Sequence, residues 1–309
     1  MTRVAAFDCG TNSLRLLIAD LDPDTGTAVE LERAMRVVRL GEGVDQTGQI
    51  SAAAMERVFA ATDEFCESVR RHQPQAIRFC ATSAARDASN ADEFMAGIAA
   101  RVGVVPEVLD GRAEAEASYT GATRGLPDLD GPVLVVDIGG GSTEFVLGTP
   151  GGDLQHAQSL DIGSVRLTER HQISDPPTAT QLAAVRTDIN SVLGTLEFDL
   201  RSARTIVGVA GTITTMAAAC LGLDSYQRDR IHRAVISTTE VEHQLEWLQA
   251  MTVAQRRELG YLHPGRADVI GTGGQILVSV LRLAQAESLV VSELDILDGI
   301  AWSVVNQET

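Results

Sequence analysis

Two short segments of this chain place an acid, a glycine turn and hydroxyl side chains in the same order. The first reads VAAFDCGTNSLRLLIADLD and begins at residue 4, and the second reads VLVVDIGGGSTEFVLGTP and begins at residue 133. Both start as a short apolar strand, break at the acid and the glycine turn, and resume as a strand. The alignment pairs three positions: Asp8 with Asp137, Gly10 with Gly139, and Ser13 with Ser142.

A glycine turn between two strands lets backbone N–H groups converge on an anion, because no Cβ obstructs the approach. The acids at the strand ends, Asp8 and Asp137, are oxygen ligands of the kind that a hydrated Mg²⁺ prefers. One such loop is usually only a turn, but two copies favour a phosphate chain held between the loops. The candidate phosphate-binding residues are Thr11, Asn12 and Ser13 in the first loop, and Gly139, Gly140, Gly141, Ser142 and Thr143 in the second.

The sequence DIGGGSTE is the sharper of the two copies. Three consecutive glycines are costly inside an apolar strand pattern, so we expect something, most economically a phosphate, to approach this backbone closely. Glu144 follows two hydroxyl residues and is predicted to lie near the metal. The alternative for Glu144 is an ordinary solvent-facing strand carboxylate.

These loops require an α/β fold with two similar halves, each opened by one hairpin. Helical periodicity follows Ser51, a predicted N-cap, and Thr178 with Gln181 and Ser237 with Glu240 have capping-box spacing. TIVGVAGTITT is predicted to be a strand ending in a Gly-Thr turn. We expect domains at residues 1–124 and 125–294, with a final helix at about 295–309 that packs on the first domain.

The composition of the chain argues against some classes of function. The net charge of −17 argues against broad nucleic-acid binding, and no apolar run reaches the roughly 20 residues of a membrane span. The four cysteines are scattered, which predicts free thiols in a reducing cytoplasm. All 25 basic residues are Arg, most simply through codon bias, although a few can clamp phosphate.

Seven segments occur in order along the chain: DCGTNS, ATSAARDA, DGRAEAEA, DIGGGSTE, GSVRLTE, VAGTITT and PGRADVI. Together they resemble the exopolyphosphatase/guanosine pentaphosphate phosphatase family, within the superfamily of actin, the sugar kinases and the heat-shock ATPases. The resemblance covers essentially the whole chain. It implies two actin-like (ribonuclease H-like) domains with a cleft between them.

The resemblance assigns the catalytic role to Glu114. The family's segment usually reads Ser-Gly-x-Glu-Glu-Ala, and here one acid of the pair is Ala113. Glu116 is a weaker substitute. Without the family, GRAEAEASYTG is typical of a helix start with acids near its positive end.

The same resemblance makes Arg86 a phosphate contact, although Arg86 alone would pass as a surface residue at a helix end. Gly211 and Thr212 resemble the Gly-Thr loop where nucleotide-binding relatives hold adenosine, and Arg166 and Arg266 lie in matching segments. The implied cofactor is Mg²⁺ or Mn²⁺, bound by Asp137, Glu144 and Asp8. Cys9 is interpreted as structural. His232 lies in a segment that resembles the family, and a hydrogen-bonded structural histidine is the alternative to a role in the site.

The resemblance therefore predicts hydrolysis of the terminal phosphoanhydride of inorganic polyphosphate, with Glu114 activating a water. Guanosine pentaphosphate is the alternative substrate, and shorter polyphosphates are the expected preference. Two other classes stay open: a nucleotide-dependent kinase, and a non-catalytic sensor of alarmone or polyphosphate. Family members are often dimers, so a homodimer is an expected state, with no nucleic-acid or membrane partner.

Overall fold

The computed structural model describes residues 1–126 and 128–306. Within these ranges the chain forms the following strands: β1 (Thr2–Cys9), β2 (Ser13–Asp22), β3 (Thr27–Val37), β4 (Ala76–Ala81), β5 (Glu107–Val108), β6 (Val133–Ile138), β7 (Thr143–Gly148), β8 (Leu154–Leu160), β9 (Thr205–Val209), β10 (Val235–Ser237) and β11 (Ser288–Val291).

The helices alternate with these strands. They are α1 (Val44–Thr47), α2 (Ala52–His72), α3 (Ser83–Asp87), α4 (Ala91–Val102), α5 (Gly111–Arg124), α6 (Ser164–Arg170), α7 (Ala179–Leu193), α8 (Ala210–Cys220), α9 (Arg228–Ile231), α10 (Thr238–Ala250), α11 (Val253–Arg257), α12 (Ile270–Leu283) and α13 (Ile296–Asn306), with 3₁₀ turns at Leu200–Ser202 and Pro264–Arg266.

The chain divides into two compact units. Unit 1 comprises residues 1–121 and 296–309, and unit 2 comprises residues 122–295. The sequence placed these divisions at 124/125 and 294/295. The turn-rich segment expected there contains Pro127, and the predicted final helix contains residues 307–309; these four residues lie outside the described part of the chain.

Unit 1 is built on a sheet with strand order β3-β2-β1-β4-β5, in which β1 pairs antiparallel with β2 and parallel with β4. Side chains alternate along β1 because successive residues of a strand point to opposite faces. Phe7 packs on one face against Phe79, with ring centroids 5.2 Å apart. Val4 and Ala6 face the other side, where they join the core formed with α13. Arg33 of β3 also pairs with Asp298 of α13 at 2.5 Å.

Unit 2 repeats this plan with order β10-β11-β9-β6-β7-β8. Its first hairpin, β6–β7, is again antiparallel, and β6 again pairs parallel with the next central strand, β9. The short strand β10 is an addition that pairs antiparallel with β11. The predicted α/β fold of two similar halves is therefore confirmed by sheet topology.

The predicted caps are confirmed. The Ser51 side chain accepts from Ala54 N at the start of α2. Thr178–Gln181 and Ser237–Glu240 both form complete capping boxes, at the starts of α7 and α10. Each cap satisfies backbone N–H groups that a helix start otherwise leaves without a partner.

The Gly-Thr turn predicted after TIVGV is wrong. Strand β9 ends at Val209 and α8 begins at once with Ala210, so Gly211 and Thr212 lie in the first turn of a helix. This direct entry depends on Ala210, whose φ of 69° is left-handed and uncommon for a residue with a side chain. An alanine in this conformation is not predicted from the local sequence.

No helix among the described residues is both long enough and apolar enough to cross a membrane.

Candidate active site

The first hairpin loop turns its carbonyl groups into unit 1. Thr11 O accepts from Gly41 N, and Asn12 O accepts from Val38 N and Arg39 N. Within the described part of the chain, the N–H groups of Thr11 and Asn12 have no acceptor. The predicted loop residues therefore offer two donors to an anion, and Ser13 closes the turn by accepting from Gly10 N at 3.0 Å.

The second hairpin loop has the same closing bond, Gly139 N to Ser142 O at 3.0 Å. Its carbonyl groups accept from the start of α6: Ser164 N donates to Gly139, Val165 N to Gly140, and Nε of Arg166 to Gly141. Among described residues, the N–H groups of Gly140 and Gly141 have no acceptor. This loop too presents donors to an anion.

The close approach expected at the glycine triplet is present, and protein backbone makes it. A Cβ at Gly163, which precedes α6, would overlap the Gly140 carbonyl and the Gly141 backbone. The absence of a side chain at Gly163 thus allows the start of α6 to dock against the loop. Thr143 follows the loop and donates its hydroxyl to Ile162 O at 2.5 Å, which fixes the same contact.

Asp8 and Asp137 occupy equivalent places but face opposite charges. In unit 1, Asp8 lies directly across from Arg15, and Arg15 Nη2 is 2.6 Å from Asp8 Oδ2. In unit 2, Asp137 lies directly across from Glu144, and both carboxylates are buried. The second hairpin is therefore doubly acidic, whereas an arginine accompanies the acid of the first.

Glu144 is not the solvent-facing carboxylate of the alternative interpretation, because its residue is only 2% exposed. Ser159 of β8 lies across from it and donates its hydroxyl to Glu144 Oε1 at 2.7 Å.

Glu114 lies in the first turns of α5, the helix that follows β5. Asp110 begins this helix: its side chain accepts from Ala113 N, and its carbonyl accepts from Glu114 N. The Glu114 side chain is 9% exposed, and Arg86 Nη1 donates to its Oε2 at 2.9 Å. The structure thus brings together the two unit 1 residues that the sequence named separately.

Arg86 belongs to α3, which begins after β4, and it also donates to Leu109 O. Ser83 of the same helix contacts the Thr11 hydroxyl at 2.8 Å. Because β1, β4 and β5 are parallel, the segments that follow them emerge at one edge of the sheet. Thr11, Arg86 and Glu114 therefore share the carboxyl edge of unit 1.

Glu116 points elsewhere. It forms an i,i+4 ion pair with Arg112 at 2.8 Å, and the Glu116 side chain is 41% exposed. This environment makes it the weaker candidate for the base.

In unit 2, the start of α8 lies beside the glycine loop. A Cβ at Gly273 of α12 would overlap the Thr212 side chain and come within 3.2 Å of Ser164. The Arg266 guanidinium lies directly against Gly211. In the sequence, Arg266 is notable only because its segment matches the family. In the structure it lies beside Gly211, in the predicted Gly-Thr site.

The remaining candidates keep structural environments. His232 Nδ1 accepts from Glu293 N at 3.2 Å, and burial lowers the pKa of its imidazole. Cys9 is fully buried, which raises the pKa of its thiol, and the neighbouring Asp8 raises it further. A neutral thiol is a poor nucleophile.

The donor set of the second hairpin fits a hard divalent cation. Asp137 and Glu144 supply carboxylate oxygens at opposed positions of one strand pair. Within residues 1–126 and 128–306, no cluster of three or more His, Cys, Asp or Glu side chains could hold a metal alone. Mg²⁺ commonly binds through one or two carboxylates, with waters and substrate phosphates completing its shell. Asp8 stays a predicted ligand.

Three contributors escaped the sequence analysis: Arg15, Ser83 and Ser159. The repeat held a signal for the first, because its alignment places Arg15 on Glu144. Ser83 and Ser159 act across strands and helices distant in sequence, so no local pattern could reveal them.

Comparison with known proteins shows the family to which this chain belongs. Residues 20–308 match the model of the Ppx/GppA phosphatase family. The chain belongs to this family. It is 43% identical to Exopolyphosphatase 2 of Mycobacterium tuberculosis, over 98% of this chain and 99% of that protein.

Two further Ppx/GppA relatives bear on substrate and fold. Guanosine-5'-triphosphate,3'-diphosphate pyrophosphatase of Vibrio cholerae is 29% identical over 97% of this chain and 59% of that longer protein. The crystal structure of an exopolyphosphatase from Cytophaga hutchinsonii matches with a TM-score of 0.91 at 27% identity, over 99% of this chain and 98% of that one. The family is thereby confirmed, and this phosphatase has the fold of a solved exopolyphosphatase.

Proposed function

We propose that this Ppx/GppA phosphatase is a cytoplasmic exopolyphosphatase, which hydrolyses the terminal phosphoanhydride of inorganic polyphosphate with Mg²⁺ or Mn²⁺. The observation that carries the proposal is Glu114, a buried carboxylate oriented by Arg86 at the carboxyl edge of unit 1. The 43% identity to Exopolyphosphatase 2 along the whole chain supports polyphosphate as the substrate.

Glu114 acts on water. Its carboxylate accepts a proton from a water molecule, whose oxygen attacks the terminal phosphorus in line with the bridging oxygen. The bond from phosphorus to that bridging oxygen breaks, so one orthophosphate and a chain shorter by one phosphate leave. Arg86 fixes the carboxylate so that one orientation of the base is retained. Such catalysis consists mainly of positioning and electrostatic stabilisation.

The loops bind phosphate. The N–H groups of Thr11 and Asn12 in unit 1, and of Gly140 and Gly141 in unit 2, are donors suited to phosphate oxygens. Asp137 and Glu144 would hold the cation, which when bound neutralises charge on phosphate oxygens. Asp8, the remaining predicted ligand, also pairs with Arg15, whose guanidinium adds positive charge beside the first loop.

The Arg266 guanidinium favours hydrolysis over a nucleotide-dependent kinase. It lies against Gly211, in the segment that resembles the Gly-Thr loop where nucleotide-binding relatives hold adenosine. A protein side chain therefore occupies this face. Guanosine pentaphosphate, the substrate implied by the name of the Vibrio relative, is the alternative that the test must separate.

The test is orthophosphate release with Mg²⁺ from four substrates: short polyphosphate, long polyphosphate, guanosine pentaphosphate and ATP. We expect preferential release from polyphosphate and loss of release when EDTA removes the cation. Preference for the pentaphosphate would change the substrate while keeping the chemistry. Binding of polyphosphate by the folded protein without release would overturn the proposal in favour of a sensor.

A further inference from the structure

A row of directly opposed residues crosses each central sheet at the start of the site. In unit 1 the row runs Cys80, Asp8, Arg15 and Met35 across β4, β1, β2 and β3. In unit 2 the equivalent row runs Val209, Asp137, Glu144 and Ser159 across β9, β6, β7 and β8. The repeat thus provides an internal comparison for each position.

The two rows share an aspartate as their second member and differ together at their third and fourth members. Where unit 1 has Arg15, which pairs with Asp8, its outer neighbour is Met35, which has no hydrogen-bond donor. Where unit 2 has Glu144, the outer neighbour is Ser159, whose hydroxyl donates to Glu144 Oε1 at 2.7 Å. The serine accompanies the carboxylate and is absent where the carboxylate is absent.

We propose that Ser159 is a positioning residue, which orients the Glu144 carboxylate for the cation. The inference rests on the proposed function, in which Asp137 and Glu144 hold that cation. A glutamate has three rotatable side-chain bonds, and a hydroxyl bonded to one carboxylate oxygen restricts its last torsion. The carboxylate lies in a buried environment, with the residue 2% exposed, where a charge-assisted hydrogen bond is stronger than in water.

Hydrogen bonds to metal-ligating carboxylates commonly change metal affinity by about 10–100-fold when they are removed. The test measures Mn²⁺ binding to the full chain without substrate. The electron paramagnetic resonance signal of the free ion reports how much Mn²⁺ stays unbound. Ser159→Thr keeps the hydroxyl, and Ser159→Val gives a side chain of nearly the same shape as threonine but without the hydroxyl. The difference in Mn²⁺ affinity between these two variants therefore isolates the hydrogen bond. We expect Ser159→Thr to bind within about threefold of the wild type, and Ser159→Val about 10–100-fold more weakly.

The matched control is Ser237→Ala. Ser237 also lies 2.7 Å from a carboxylate oxygen, that of Glu240, but at the N-cap of α10. Its replacement weakens a cap and should leave Mn²⁺ binding unchanged. Equal binding by Ser159→Thr and Ser159→Val, or no Mn²⁺ binding by the wild type, would overturn the inference.

Orthophosphate release by the wild type separates this inference from the proposed function. If Mn²⁺ binding depends on the Ser159 hydroxyl while no phosphate is released from any substrate, the positioning role holds and the exopolyphosphatase proposal fails. If phosphate is released while the Thr and Val variants bind Mn²⁺ equally, the positioning role alone fails.

Discussion

Nη1 of Arg86 lies 2.9 Å from Oε2 of Glu114 and 2.9 Å from the carbonyl oxygen of Leu109. One guanidinium nitrogen therefore ties the proposed base to the backbone just before its helix. The two side chains come from helices that follow the adjacent parallel strands β4 and β5. Sheet pairing thus brings together residues 28 positions apart in sequence.

This pair should be energetically coupled. We expect the variants Arg86→Ala and Glu114→Gln, with their double variant, to show a coupling of about 1–3 kcal/mol in the free energy of unfolding, because the contact is largely buried. Adding Arg86→Ala to the Glu114→Gln variant should reduce kcat little further, because the base that Arg86 orients is already absent. Urea denaturation and steady-state kinetics of the three variants measure both quantities.

The matched control is the pair Arg112 and Glu116 on the same helix, whose side chains are 76% and 41% exposed. Exposed i,i+4 pairs contribute only about 0.3–0.5 kcal/mol. A coupling between Arg86 and Glu114 no larger than this control would contradict the assigned contact.

Gly163 should tolerate no side chain. A methyl group there meets the Gly140 carbonyl and the Gly141 backbone, neither of which can move without disturbing the loop. We expect Gly163→Ala to destabilise the protein by about 1–3 kcal/mol and to raise KM for polyphosphate. The control Gly151→Ala lies in the β7–β8 turn, where the nearest atom is 3.7 Å away. Equal thermal stability and equal KM for the two variants would show that the loop accommodates the methyl group.

The stability of unit 2 should fall in mild acid through His232. Burial lowers the pKa of this imidazole in the folded state, and Arg233 and Arg228 lower it further. As pH falls through about 6.5, the unfolded chain therefore takes up a proton that the folded chain resists, and the free energy of unfolding decreases. The decrease begins near the unfolded value and continues toward the lower folded one.

His232→Asn tests this pH dependence, because the Asn Oδ1 can still accept from Glu293 N, the donor to Nδ1. Urea denaturation at about pH 7.5 and about pH 5.5 should show a smaller loss of stability in the variant than in the wild type. His263, whose pKa burial also lowers, remains in both proteins and contributes equally. Identical losses in the two proteins would remove His232 as a contributor.

Local sequence patterns predicted the structural features that depend on residues close together in the chain. Alternation and glycine turns predicted both hairpins, and hydroxyl-to-acid or hydroxyl-to-amide spacing predicted the capping boxes at Thr178 and Ser237. The repeat predicted two α/β halves, because each hairpin must open a sheet. Glu114 came from the family resemblance, since its own segment is typical of any helix start.

Contacts between distant segments escaped the sequence. The glycine triplet predicted a close approach, but its contact with α6 depends on residues more than 20 positions away. The direct passage from β9 into α8 includes a left-handed Ala210, a conformation that the local sequence does not predict because alanine seldom adopts it. Arg15 and Glu144 occupy equivalent positions of the repeat but carry opposite charges. Only the strand register shows that each lies opposite an aspartate, Asp8 or Asp137.

Glu114→Gln is the most direct test of the proposed chemistry, because it replaces the base while nearly preserving its shape. We predict that kcat for polyphosphate falls by about 10²–10⁴-fold, the usual contribution of a positioned general base. Polyphosphate binding should stay near that of Glu116→Gln, whose carboxylate lies in an ion pair with Arg112 on the same helix. If Glu114→Gln retains nearly full turnover, or if Glu116→Gln loses as much, Glu114 is not the base.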